Sequence, residues 1–307
     1  MPVPHASVAF GDLLDIRFQE IFESDQQYNE LASMLSKLYT MPKTNGRNNM
    51  TWSQIGTLPD FSEFTGNVSY NSMSQGYDTT STPIEFSNGI QVERKLYDDD
   101  QYHIMDQKPA ALSQAASRTR EKHGARMLNN AFSVDNYFYN NSEGVALCSN
   151  SHTTTSGASV ASGFDNLVTS SLTATSVAAA RIQMRGFRGD QAERISVEPD
   201  ELWIPPDLYE VAYEIVSSMG KVDTANNNRN VHEGRYTIYE WNYLTDVNNW
   251  FLCDSAMKKR MVFWIDRIPL EMAMVEDFDT IVAKWRAYMR YSNAHVDWRW
   301  LIGAQVS

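Results

Sequence analysis

The stretch DQKPAALSQAASRTREKHGARMLNNAF, residues 106–132, decides how the rest of the chain is read. Pro109 stands where a first helical turn tolerates a missing N–H, and the 23 residues after it hold no proline and one glycine, Gly124. Leu112, Ala116, Thr119, His123, Met127 and Ala131 share one arc, a stripe of mostly small residues suited to lying against a sheet. At about 1.5 Å per residue the predicted helix is roughly 35 Å long, enough to span a domain. From Lys108 on, its charges are Lys108, Arg118, Arg120, Lys122 and Arg126 against Glu121 alone, in a chain of net charge −12.

Composition narrows the function classes. With 307 residues, 42% of them hydrophobic, the chain has material for a sizeable core and two domains. No run approaches the roughly 20 apolar residues of a bilayer span, and the N-terminus has no basic segment before an apolar one, so neither a membrane helix nor a secretory signal is predicted. The acidic balance argues against gripping nucleic acid over the whole surface. Two cysteines, Cys148 and Cys253, make no disulfide framework and suit a reducing compartment, with one bridge between them left open. Eight Trp, 15 Tyr and 13 Phe are compatible with assembly, because aromatics are enriched at interfaces.

Outward from the long helix, residues 6–40 carry apolar residues at helical spacing in two segments, with Ser24 and Asp25 expected to cap the second. Residues 43–82 lose that period; Asn, Ser, Thr and Gly dominate, punctuated by Trp52, Phe61, Phe64, Tyr70 and Tyr77. Such a stretch has no core of its own, and its spaced aromatics favour an extended arm that packs on something else. Residues 84–97 alternate like a strand, and Asn88-Gly89 predicts a hairpin or a bent strand. Asp98 to Asp100 lead to the helix as an acidic turn, favoured by its dipole.

After the helix, residues 140–166 read as loop, and Thr173 or Thr175 caps a helix running to Arg185 and closed by Gly186. An α/β pattern follows: strands at Ile195–Val197 and Leu202–Ile204, a stop at Pro205-Pro206, then a helix capped by Asp207. Further strands are expected at 236–239, 250–252 and 261–265. The strongest β signal is Ile281, Ala283, Trp285, Ala287, Met289 and Tyr291 on one face against Lys284, Arg286 and Arg290 on the other. A turn at Ser292-Asn293-Ala294 and a last strand through Val296, Trp298 and Trp300 complete the reading.

Reactive chemistry is sparse. Cys148 and His152 lack a second metal-ligand pair, His295 and Asp297 have no nucleophile placed beside them, and Arg188-Gly189-Asp190 reads as a tight turn. There is no GxxxxGK[ST], no GxGxxG after a strand and no GxSxG. No catalytic, cofactor or metal residue is assigned.

Several short motifs occur in a fixed order. They are Trp52, Leu58-Pro59 and Glu63-Phe64-Thr65-Gly66; Ile90, Val92 and Arg94 followed by Asp98-Asp99; and Leu147-Cys148-Ser149-Asn150-Ser151-His152. Then come Leu172-Thr173 opening a helix with Ala179-Ala180-Arg181, Ile195, Pro199, Leu202, Ile204-Pro205-Pro206, Leu208 and Ala212, and last Trp250-Phe251-Leu252 with Asp254. In that order they resemble the major capsid (head) protein of tailed bacteriophages, with the fold named after phage Hong Kong 97, and most closely its Mu-type head-subunit branch.

The resemblance implies an α+β chain: an N-terminal arm (1–48), an extended β loop reaching a neighbour (49–97), and a peripheral domain with the long spine helix (98–185). An axial domain (186–270) and C-terminal peripheral strands (271–307) follow. It implies self-assembly into hexamers and pentamers of an icosahedral head enclosing double-stranded DNA without sequence-specific binding. A separate scaffolding protein, a portal and decoration proteins would be its partners, with no membrane and no cofactor. The chain would be made in the host bacterial cytoplasm and end in the virion capsid. Trp52, Phe61, Phe64, Tyr70, Tyr77 and Phe86 are the expected subunit interface. Arg118, Arg120, Lys122 and Arg126 are expected either to face the lumen or to pair with carboxylates of the same or adjacent subunits. The covalent crosslinking of some members is not carried over, because Lys43 precedes and Lys95 follows the extended loop with no lysine between. The rivals are a tail-tube subunit, which would stack in six-fold rings, and a cytoplasmic α+β hydrolase, which needs an acid, base or nucleophile not found here.

Overall fold

The computed structural model describes residues 8–43, 46–61, 63–64, 66–68, 70, 73, 75–93, 107–220, 229–277 and 282–306. Helix α1 (Val8–Leu31) and the single turn α2 (Leu35–Leu38) lead into strands β1 (Met50–Ile55), β2 (Gln75–Ser81) and β3 (Ile84–Glu93), then the long helix α3 (Gln107–Asn129). After it come β4 (Tyr139–Asn141), β5 (Leu167–Val168), α4 (Ala174–Met184), β6 (Glu201–Ile204), α5 (Tyr209–Ser217), β7 (Thr237–Glu240) and β8 (Trp250–Cys253). The chain closes with α6 (Ser255–Met261), the long strands β9 (Val262–Asp277) and β10 (Val282–His295), and β11 (Leu301–Ala304).

Helix α3 is the spine on which the rest is laid. Leu112, Ala116, Met127 and Ala131 of its stripe are buried, and it packs against α1, β3 and β10. At Gly124 a Cβ would stand 2.1 Å from Leu35 Cδ2 and 3.3 Å from the Trp241 ring, so the missing side chain is what lets α2 and Trp241 close on the helix. Beside the spine, β3, β10 and β9 form an antiparallel sheet in that order. The β10 pattern is as the alternation predicts: Trp285, Ala287, Met289 and Tyr291 are buried while Lys284 and Arg286 are exposed. Ring contacts seal the seam: Tyr39 meets Trp264 edge-on (5.5 Å), Trp264 stacks on Tyr291 (4.8 Å), Tyr291 stacks on Phe86 (4.7 Å) and Phe86 tilts against His123 (4.7 Å).

A second module is a five-stranded sheet in the order β5-β11-β8-β6-β7, with β6 parallel to β7 and antiparallel to β8. Every residue of β6, β8 and β11 is buried. That is why ELWI, WFLC and LIGA show no polar alternation: they have no wet face. Helix α4 opens as expected, with the Thr173 side chain accepting from the Ser176 N–H in a reciprocal capping box. A third, small sheet β1-β2-β4 carries the outreaching segment.

Local signals are overridden at several points. Residues 8–31 form one helix, not two; Asp25 accepts from Asn29 Nδ2 within the helix at 2.9 Å instead of capping a second one. Asn88-Gly89 makes no hairpin, because pairing with Ala287 and Arg286 carries β3 straight through it. The turn expected at 292–294 is strand: Ser292 accepts from Ser81 Oγ at 2.8 Å and Asn293 Nδ2 donates to the His123 carbonyl at 3.0 Å, both buried. Trp298 and Trp300 therefore lie beyond β10 in a buried turn, not in a strand. Ile195–Val197 is coil, and Asp207 sits exposed in a 3-10 turn (Pro206–Leu208) whose successor, α5, has no side-chain cap. Strand β9 runs across residue 270, and β11 belongs to the five-stranded sheet. Arg94, Leu96, Asp98 to Asp100, Thr65 and Ile281 lie outside the described residues.

Candidate assembly interface

The hairpin β1-β2 is fastened at its base and bare at its tip. Trp52 stacks flat on Phe263, centroids 5.1 Å apart and planes 5° from parallel. Gln54 Nε2 donates to the Val296 carbonyl, the Tyr77 and Thr153 hydroxyls share a hydrogen bond of 2.6 Å, and Thr155 Oγ1 donates to the Gln75 carbonyl at 2.9 Å. On the inner edge β2 pairs with β4. These contacts tie the base to β9 and to the 150s loop of the same chain.

Past Thr57 every described residue as far as Gln75 is exposed. Phe61 is 105% exposed, Tyr70 93% and Phe64 70%, with Ile55, Leu58, Val68 and Met73 exposed beside them. A phenylalanine or tyrosine offers on the order of 150–250 Å² of surface, so this tip displays more apolar area than the scattered single residues usual on a monomer. The interface set expected from sequence thus divides. Phe61, Phe64 and Tyr70 are free of their own fold, whereas Trp52 and Tyr77 are engaged at the hairpin base. The Phe86 ring lies against His123, Tyr291 and Phe138 in the seam, because its side of β3 faces the spine. Ile55, Leu58, Val68 and Met73 are not among the interface residues expected from sequence, although the same core-less stretch contains them.

The basic residues of α3 divide too. Arg120 pairs with Asp266 at 2.8 Å and lies over the Trp264 ring, and Arg126 grips both oxygens of Asp135 at 2.7 and 2.9 Å. That pairing and the Asn130 bond hold the Asp135 carboxyl below its ordinary pKa, against the opposing pull of partial burial. Arg118 and Lys122, one turn apart, are exposed and form no ion pair among the described residues.

The residues weighed for chemistry are structural. His152 is buried between Glu143 Oε1 and Asn166 Oδ1, 3.0 Å from each, under the stacked Trp298 ring at 4.2 Å. His295 packs edge-on to Tyr139, and burial pushes its pKa down to about 4. Asp297 bonds Arg299 at 2.8 Å. Cys148 and Cys253 are free, buried thiols whose pKa burial raises, the opposite of what a nucleophile needs. No cluster of three metal-ligating side chains occurs among the described residues, and no helix there is long and apolar enough to cross a membrane.

A family model described as phage capsid protein matches residues 76–304. No curated protein sequence matches the chain. Solved structures resemble it in fold. The capsid structure of the cyanophage P-SCSP1u aligns with a TM-score of 0.57 at 13% identity, covering 88% of this chain and 86% of the other. The mature capsid of bacteriophage PhiM1 aligns at 0.57 with 9% identity, covering 90% and 87%, and a chain of Mycobacterium phage Che8 at 0.54 with 13% identity, covering 89% and 90%.

Proposed function

This chain belongs to the phage capsid protein family and is a major capsid protein, a structural and non-enzymatic component of the virion shell, and from that premise we propose how its copies hold together. The exposed side chains of the tip, Leu58, Phe61, Phe64, Val68, Tyr70 and Met73, dock on a neighbouring copy, and the anchored hairpin base sets the direction in which they reach. The supporting observation is the exposure of Phe61, Phe64 and Tyr70 on a segment whose root is pinned by the Trp52–Phe263 stack. Burial of those rings on a neighbour makes association favourable, so the tip contributes to holding the assembly together.

In this reading the copies form hexamers and pentamers of an icosahedral head around double-stranded DNA. The chain is made in the host bacterial cytoplasm, and a separate scaffolding protein, a portal and decoration proteins complete the particle. The spine and its sheet act as the peripheral domain, and the five-stranded module, now including β11, as the axial domain. Arg118 and Lys122, without a carboxylate partner among the described residues, are the part of the basic face left to meet DNA or an acidic scaffold; Arg120 and Arg126 pair within the chain's own fold.

Replacing residues 57–73 by a short glycine-serine turn tests this directly. The shortened chain stays folded and soluble but forms no shells by negative-stain microscopy. Shells of normal size from that variant would refute the docking role.

A further inference from the structure

The His152 ring and the hairpin base meet at one carboxylate. Asn166 Nδ2 donates to the Leu147 and Leu301 carbonyls at 2.9 and 3.1 Å, so the amide can be turned only one way, and its Oδ1 is an acceptor that also takes the Ser149 N–H at 2.8 Å. His152 Nε2, 3.0 Å from that oxygen, must therefore carry a proton. On the other side of the ring, Glu143 Oε1 already accepts the Thr153 N–H at 2.9 Å and stands 3.0 Å from Nδ1. Both ring nitrogens face acceptors. A neutral imidazole has one donor and one acceptor, whereas an imidazolium has two donors. The side chains of His152 and Glu143 are 1% and 7% exposed, so a lone pair left pointing at the carboxylate would find no solvent in exchange.

The groups around the ring favour that charge. Trp298 stacks on it with planes 8° apart, and an aromatic face attracts a cation. Arg299, 4.9 Å from the centre of the same indole, is matched by Asp297 and Asp190, and His295 is kept neutral by burial. Glu143 is left as the counter-charge of His152. From Glu143 the bonds run on to β2. Ser142, its chain neighbour, accepts the Asp78 N–H at 2.8 Å through its hydroxyl and donates its own N–H to the Asp78 carbonyl at 2.9 Å. Thr153, held to Glu143 by its N–H, meets the Tyr77 hydroxyl, and Thr155 Oγ1 meets the Gln75 carbonyl. Gln75, Tyr77 and Asp78 are thus held by two loops that the His152–Glu143 pair joins.

We infer that His152 is doubly protonated and acts as a pH-sensitive positioning residue. Its bond to Glu143 clamps the 150s loop to the loop after β4, and the two loops together fix the base of the hairpin that carries the tip. The inference rests on that hairpin being the element that meets a neighbour. As pH rises the Nδ1 proton passes to water, a lone pair is left facing Glu143 Oε1, and the clamp opens.

The test uses the unassembled full chain, wild type and His152→Gln, from about pH 5 to about pH 9, a span that covers the range in which histidine ordinarily changes charge. Heteronuclear NMR reads the protonation of each ring nitrogen, with the His152 ring identified by its contact with Trp298. Hydrogen exchange followed by mass spectrometry reads strand β2, each rate divided by the intrinsic rate at that pH. In wild type both nitrogens are expected to be protonated at the acid end. Nδ1 then loses its proton, and β2 exchange rises in step by about tenfold, as loss of one charged hydrogen bond implies. His152→Gln shows no such step. A ring with one bare nitrogen at every pH, or with both protons at every pH, overturns the switch, and a titrating ring beside unchanged β2 exchange overturns its hold on the hairpin. If His152→Gln does not fold, the two wild-type curves decide alone. Both can fail while shell formation still depends on the tip, and the glycine-serine replacement can refute the docking role of the tip while both hold.

Discussion

Phe61→Ser separates assembly from folding more sharply than a deletion does. The ring is 105% exposed, so the isolated chain loses no packing and its stability stays within about 0.5 kcal/mol of wild type. Buried on a neighbour, a phenylalanine side chain contributes about 2 kcal/mol. At about 1.4 kcal/mol per decade, its loss raises the concentration at which shells appear by roughly 30-fold. Light scattering against protein concentration measures that threshold, and circular dichroism melting of the unassembled chain supplies the control. An unchanged threshold refutes docking through this ring. A lowered melting temperature refutes the premise that Phe61 has no partner in its own chain.

Two further outcomes concern the chain itself. Arg299 is buried, donating to the Arg188 carbonyl at 2.7 Å and bonding Asp297 at 2.8 Å and Asp190 at 3.1 Å, so Arg299→Met strands two carboxylates and costs about 3–5 kcal/mol, read from urea unfolding. His295 is held neutral by burial, with a pKa of about 4 against 6.5 when unfolded. The unfolded chain therefore binds the extra proton between those values, and stability falls as pH drops from 6.5 to 4, by about 3 kcal/mol from this group. His295→Gln removes that part of the acid sensitivity, and an identical pH profile in the variant refutes the assignment.

The spine helix was legible because its signals are local. Pro109 at the start, a run of helix formers and the stripe from Leu112 to Ala131 specify α3 without reference to any partner. The same holds for the Thr173 cap and for the alternation from Ala283 to Tyr291. Strand partners were not legible, since period 2 reveals a face and not the neighbour on it. Asn88-Gly89 has strong turn chemistry, yet the ladder to β10 outweighs it, because many paired residues contribute against one local preference. Ser292 and Asn293 look like a turn and become strand through bonds to Ser81 and His123, residues remote in sequence.

The interface divides along the same line. Sequence alone determined that residues 43–82 have too few apolar residues to build a core and too many aromatics to be left in water. Only the tertiary structure decided that Trp52 and Phe86 find cover within their own chain while Phe61, Phe64 and Tyr70 do not. An aromatic ring gains the same free energy from any dry surface, so its identity cannot say whose surface that is. Which rings are satisfied depends on where β9, β10 and the spine bring their faces, and those positions are set by contacts distant in the sequence.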